Sequence, residues 1–110
     1  MNETRESESV SMNLNELLKY QSGAVVSKVL LKKSSGNITL FAFDKGEGLS
    51  EHTAPFDAFV QITDGEAEIT ISGKQYLLCG GEAIVMPAGQ PHSLKAMTAF
   101  KMILVMIKSE

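Results

Sequence analysis

Residues 59–74 run Phe59-Val60-Gln61-Ile62-Thr63-Asp64-Gly65-Glu66-Ala67-Glu68-Ile69-Thr70-Ile71-Ser72-Gly73-Lys74, and from Glu66 to Ile71 polar and apolar side chains alternate without a break. A period of two sends successive side chains to opposite faces of a strand. Ala67, Ile69 and Ile71 are therefore expected to face a core, and Glu66, Glu68 and Thr70 to face water. Asp64-Gly65 between two apolar runs predicts a hairpin, because a tight turn needs a positive φ and glycine supplies it. The same texture repeats outward in both directions. Short runs rich in Val, Ile, Phe and Thr occupy residues 25–31, 38–43, 59–63, 67–72, 76–78, 83–86, 93–96 and 101–107, with Gly, Asp, Asn and Ser clustered between them. About eight short strands at this spacing, with no long helical pattern, predict an all-β sandwich or barrel.

The ends of the chain read differently. Residues 1–12 are charged and Ser-rich with almost nothing to bury, so a flexible tail is expected there, followed by one domain over residues 13–110. Asn13 precedes Leu14, Leu17 and Leu18, which predicts a short N-terminal helix capped by Asn13 and ending near Ser22-Gly23. Residues 101–107, Lys-Met-Ile-Leu-Val-Met-Ile, are apolar on both faces of the strand they predict. Such a strand needs a cover on its outer side. The Leu14–Leu18 helix and a second subunit are the candidates, and a homodimer is the preferred expectation.

Composition removes several function classes. A chain of 110 residues is one domain. Thirteen acidic against ten basic residues, with no Lys/Arg block, leave no footprint for nucleic acid. One cysteine, Cys79, allows neither an internal disulfide nor a cysteine-based zinc knuckle, and no basic neighbour is evident to activate its thiol. No apolar run is long enough to cross a membrane, and the polar start does not resemble a secretion signal, so a cytoplasmic location is expected. Neither a phosphate-cradling P-loop nor a Gly-x-Ser-x-Gly nucleophile elbow is present.

Chemistry can reside in the two histidines, His52 and His92. From Gly46 the sequence reads five residues, His52-Thr53-Ala54, three residues, Ala58, six residues, Gly65; from Gly81 it reads five residues, Pro87-Ala88-Gly89, two residues, His92, three residues, Ala96. These two stretches, 15 residues apart, resemble the paired motifs of the cupin superfamily, in particular its small single-domain bacterial members. The resemblance implies a double-stranded β-helix, or jelly-roll barrel, with the histidines facing its interior. Cupins typically hold a divalent metal through two His and one Glu of the first motif and the His of the second. Here Ala54 stands where the second His would be, Ala58 where the Glu would be, and Ala96 where the second motif usually closes with Asn.

Three readings of the histidine pair follow. In the first, the barrel binds a small organic molecule. His52 and His92 are then its polar anchors, Ala54, Ala58 and Ala96 shape the pocket, the methionines suit an adaptable lining, and there is no metal or a weakly held divalent one. In the second, Asp57 replaces the missing carboxylate. His52, His92 and Asp57 would then hold iron, manganese, nickel or zinc for a metal-dependent oxygenase or isomerase. Strand parity opposes this unless a bulge at Pro55-Phe56 turns Asp57 inward. In the third, both histidines are polar residues left over in a packed core. The first reading is preferred, which makes the chain a binding module before an enzyme.

Overall fold

The alternation in residues 66–71 survives folding, with Ala67, Ile69 and Ile71 buried and the residues between them open to solvent to different degrees. A computed structural model describes residues 9–109. Its strands are β1 (Val25–Lys33), β2 (Gly36–Phe43), β3 (Gly48–His52), β4 (Phe56–Asp64), β5 (Glu66–Ile71), β6 (Lys74–Cys79), β7 (Ala83–Met86), β8 (His92–Ala96) and β9 (Phe100–Lys108). They form two antiparallel sheets, one ordered β1-β2-β9-β4-β7 and the other β3-β8-β5-β6. This is the double-stranded β-helix. The inner faces of the two sheets enclose the core, and closing them on each other shelters most strand edges.

Two turns of the chain differ in what they join. Ser72-Gly73 is a true two-residue hairpin: Ile71 pairs with Lys74, and both turn residues have positive φ, 49° and 83°. Asp64-Gly65 is not a hairpin. β4 pairs with β7 and β9, whereas β5 pairs with β6 and β8, so the chain passes from one sheet to the other at Gly65. Glycine is needed there for packing as well as for its φ of 77°. A Cβ at this position would lie 2.0 Å from the Ala99 carbonyl oxygen and 2.9 Å from Phe100. The dipeptide signals a sharp turn, and the register of the neighbouring strands decides what it joins.

The short N-terminal helix is only a single 3-10 turn, Leu14–Glu16. Asn13 does cap it, accepting from the Asn15 N–H at 3.1 Å. No further turn forms, because the segment is pinned to the barrel almost at once. The Asn15 side chain donates to the Thr63 carbonyl at 3.1 Å, Lys101 Nζ donates to the Asn15 carbonyl, and the Tyr20 hydroxyl donates to Asp64. Lys101 also lies 4.9 Å from the centre of the Tyr20 ring. This clasp holds the segment against the start of β9 and the end of β4, and it leaves the far half of the β9 outer face uncovered. The expected flexible tail falls mostly on residues 1–8, outside the described residues.

Side chains of both sheets meet in one core. Phe43 and Phe100, register partners on β2 and β9, are fully buried with rings stacked at 4.4 Å and 6°. Val60, Ile62, Ile69 and Met102 are equally buried around them. Each such side chain contributes about 1.5–3 kcal/mol by leaving water. Along β9 the inward positions loosen from Phe100 and Met102, both buried, to Leu104 and Met106, both half-buried. The barrel is solid at one end and hollow at the other.

Candidate functional site

The hollow end is built around a strand the hydrophobic pattern did not predict. β3, Gly48-Leu49-Ser50-Glu51-His52, has one large aliphatic side chain and no alternation, and its burial pattern is nearly all exposed. It is a strand because β8 holds it: Gly48 pairs with Lys95, Leu49 with Leu94, and His52 with His92 across an irregularity between Leu49 and His52. That register places the two imidazoles side by side, with ring centroids 4.3 Å apart and planes inclined at 65°. His92 is 8% exposed and His52 is open to solvent.

Local hydrogen bonds orient both rings and assign their Nδ1 atoms. His52 Nδ1 lies 2.7 Å from the Ser50 carbonyl oxygen, and His92 Nδ1 lies 3.1 Å from that of Gln90. A carbonyl oxygen can only accept, so each Nδ1 carries the proton and donates. In the neutral ring Nε2 is then left with its lone pair, as an acceptor or a metal ligand. The same device, a bond to the carbonyl two residues earlier, serves both histidines.

Both rings line a cavity of about 60 Å³ whose other walls are apolar: Leu49, Ala54, Phe56, Ala58, Met86, Leu94, Met102, Leu104 and Met106. Of the expected pocket residues, His52, Ala54, Ala58 and His92 share this cavity. Ala96 does not. It is buried beside Ala67 on the solid side, two rungs further along β8. Ala58 has Met86 of β7 and Met106 of β9 as register partners, so thioethers flank the place of the missing carboxylate. Phe56 and Leu94 were not singled out from the sequence, although each lies two residues from a chosen pocket residue on its own strand, and simple alternation could have found them. Leu104 lies on β9, whose two faces are equally apolar in sequence, so alternation gives no signal there.

Asp57 stands apart from the histidines. The β4–β9 register runs unbroken from Phe56 to Ile62, so no bulge turns Asp57 inward, and it shares the outer face with Phe59. Its carboxylate has other work. Oδ1 accepts from the Ala88 N–H at 2.9 Å, while the Gly89 N–H donates to the Ala54 carbonyl at 2.9 Å. Gly89 turns the chain with φ of 79°. Two bonds from the start of β4 therefore hold the Pro87–Pro91 loop that delivers His92 to its place opposite His52. Asp57 is a positioning residue. The turn that Asp57 serves lies 31 residues away in the chain.

Elsewhere the titratable groups are structural. Cys79 is exposed, and its thiol donates to Glu82 at 3.3 Å. That bond, with the negative charge of Glu82, pushes the thiol up from its ordinary value, away from reactivity. Among the described residues no group of three His, Cys, Asp or Glu side chains is placed to hold a metal ion. The divalent metal common in this fold needs three or more protein donors. Two imidazoles between alanines and thioethers do not fit it.

A double-stranded β-helix with paired histidines at the open end of its interior defines the class of protein. Residues 39–108 match the family model described as "Cupin domain", and the chain belongs to that family. A conserved protein of unknown function from Streptococcus pyogenes superposes with a TM-score of 0.88 at 38% identity, over 94% of this chain and 91% of that one. A cupin 2 conserved barrel domain protein from Leptotrichia buccalis gives a TM-score of 0.85 at 41% identity, over 88% of this chain and 47% of that one. Quercetin 2,3-dioxygenase of Bacillus subtilis is 32% identical over 82 residues, which is 70% of this chain but only 24% of that protein. The chain spans about a quarter of the length of this curated relative. No helix among the described residues is long and apolar enough to cross a membrane.

Proposed function

We propose that this cupin binds a compact organic molecule in the cavity between its sheets, with His52 and His92 as the polar anchors. One observation carries the reading: both rings commit Nδ1–H to a backbone carbonyl, which leaves the Nε2 edge for a ligand, in a cavity whose remaining walls are apolar. A ligand suited to it brings hydroxyl or acid O–H donors on an apolar body. Met86, Met102 and Met106 adapt to such a body because an unbranched thioether changes shape at little cost.

Metal-dependent oxygenase or isomerase chemistry is the second reading, and one feature favours it. An Nδ1–H bond to a carbonyl is how metal-ligating histidines are commonly oriented. The likeness to part of a quercetin 2,3-dioxygenase lends it further support. Against it stands the donor set, since Asp57 is committed to the Ala88 N–H on the other side of β4.

Untagged protein purified without chelator distinguishes the two readings through native mass spectrometry and elemental analysis of one sample. The binding reading expects no stoichiometric metal and a thermal shift with small phenols or hydroxy acids that both His52→Ala and His92→Ala abolish. Near-stoichiometric iron, manganese, nickel or zinc, lost in His52→Ala, overturns it in favour of the enzyme.

A further inference from the structure

We infer that the cavity holds a soft monovalent metal ion, copper(I), between the imidazoles of His52 and His92 and the thioethers of Met86 and Met106. Half of the chain's six methionines, Met86, Met102 and Met106, line the cavity that the two histidines share. Met86 of β7 and Met106 of β9 flank Ala58 in one register row, and Met102 lies deeper along β9, 1% exposed. The row faces inward, so soft sulfur donors and imidazoles meet across one small space. Thioether side chains are unbranched and adaptable, which lets a sulfur settle on an ion without moving the strand that carries it.

Donor chemistry and charge select the ion. Thioether is a soft, neutral ligand that copper(I) accepts and that manganese, iron(II) or magnesium bind poorly, while imidazole serves copper as well. Each ring offers Nε2, because its Nδ1–H is committed to the Ser50 or Gln90 carbonyl, an arrangement that orients metal-ligating histidines. No side chain lining the cavity is a carboxylate, so an ion inside it keeps its full charge. The cost of desolvating an ion grows with the square of its charge, which makes a divalent ion roughly four times as costly to bury as a monovalent one. Ala54 and Ala58 therefore do two things at once. They leave the divalent site of the family short of donors, and they keep hard ligands away from a soft one. Copper(II) prefers nitrogen and oxygen donors in a tetragonal array, which this set does not supply, so protein handled in air is expected to emerge without copper. The inference is independent of the organic-ligand reading, since it needs the sulfur atoms themselves.

Anaerobic competition of the full chain against bicinchoninate, a chromophoric copper(I) chelator, tests this. Wild type is expected to withdraw one equivalent of copper(I), and Cys79→Ser, which removes the one thiol, is expected to do the same. Zinc at equal concentration is not expected to displace it. His52→Ala and His92→Ala are each expected to lower copper(I) affinity by about a hundredfold or more. Met86→Leu and Met106→Leu keep the volume and remove the sulfur, and each is expected to lower it by about tenfold. Should a variant fail to fold, X-ray absorption of the copper(I)-loaded wild type reads the same claim as sulfur and nitrogen neighbours on one ion. No withdrawal of copper(I), withdrawal that Cys79→Ser abolishes, displacement by zinc, affinity that both folded Met→Leu variants retain, or a loaded ion without a sulfur neighbour each overturns the inference. Thermal shifts with phenols or hydroxy acids in metal-free buffer decide the organic reading separately.

Discussion

Phe43 and Phe100 stack at 4.4 Å at one end of the barrel; His52 and His92 approach to 4.3 Å at the other. Both pairs join neighbouring strands of one sheet, and both are register partners. The phenylalanines are fully buried and surrounded by Val60, Ile62 and Ile69. The histidines stand over a cavity flanked by alanines, with one ring open to solvent. Equal ring separations thus serve opposite purposes. The aromatic pair converts burial into stability. The imidazole pair gives up packing and keeps two polar rings on the wall of a cavity. In such a division stability can be lost at one end and binding at the other, nearly independently.

Phe100→Ala is the most severe way to test that division. It is expected to cost about 3–5 kcal/mol in urea unfolding, whereas Met106→Ala at the hollow end costs less than about 2 kcal/mol, because Met106 is only half-buried. Equal costs would mean that the two ends are packed alike. The next effect is a gain. Ala54→His with Ala58→Glu restores a family-like donor set and is expected to raise affinity for zinc or nickel by about a hundredfold or more over wild type, equivalent to ~2.7 kcal/mol. Metal titration reads it, and failure to bind any divalent ion counts against the motif register. Filling should also separate the ends. Ala67→Leu, in the solid half, is expected to destabilise by about 1–3 kcal/mol, while Ala58→Leu extends into the cavity and costs less than about 1 kcal/mol but abolishes ligand-induced thermal shifts.

Two smaller effects concern what positions each end. Asp57→Asn weakens the charge-assisted bond to Ala88 N–H and is expected to cost about 1 kcal/mol of stability or less. Ligand affinity falls further than stability does, since the His92 loop is loosened; an unchanged affinity would release Asp57 from that role. Tyr20 gives a pH signature at the clasp. Partial burial, then the hydrogen bond and negative charge of Asp64, hold its hydroxyl above the usual tyrosine range. The unfolded chain loses that proton near pH 10, before the folded chain does. The contribution is therefore intact below that pH and fades as pH rises through the folded value. Urea midpoints measured from about pH 8 to about pH 11 should fall less steeply in Tyr20→Phe.

What the sequence made legible follows from which forces act locally. Alternation in residues 66–71 reports on its own backbone and appears as expected, and the break at Ser72-Gly73 falls where the chain turns from β5 to β6. The spacing of the glycines around His52 and His92 carries the family resemblance, and with it the facing histidines. β3 was invisible because its pairing with β8, rather than its own side chains, makes it a strand. Asp64-Gly65 was misread because a turn signal is blind to which sheet receives the next strand. The bond from Asp57 to Ala88 joins residues 31 apart in the chain, and no local pattern encodes such a partnership. Parity alone did keep Asp57 away from the histidines, and that expectation agrees with the register.

The irregularity between Leu49 and His52 acts as a length gauge. Leu49 is fixed by Leu94, and the intervening Ser50 and Glu51 set where His52 comes to rest against His92. Three residues of β3 are spanned against two of β8, and a bulge absorbs the extra one. The bulge lets both Leu49 and His52 face the cavity although an odd number of positions separates them. In a regular strand of the same length His52 would point to the opposite face. In this barrel the encounter of two imidazoles depends on how an edge strand absorbs one extra residue, a detail of backbone that involves none of the core's side chains.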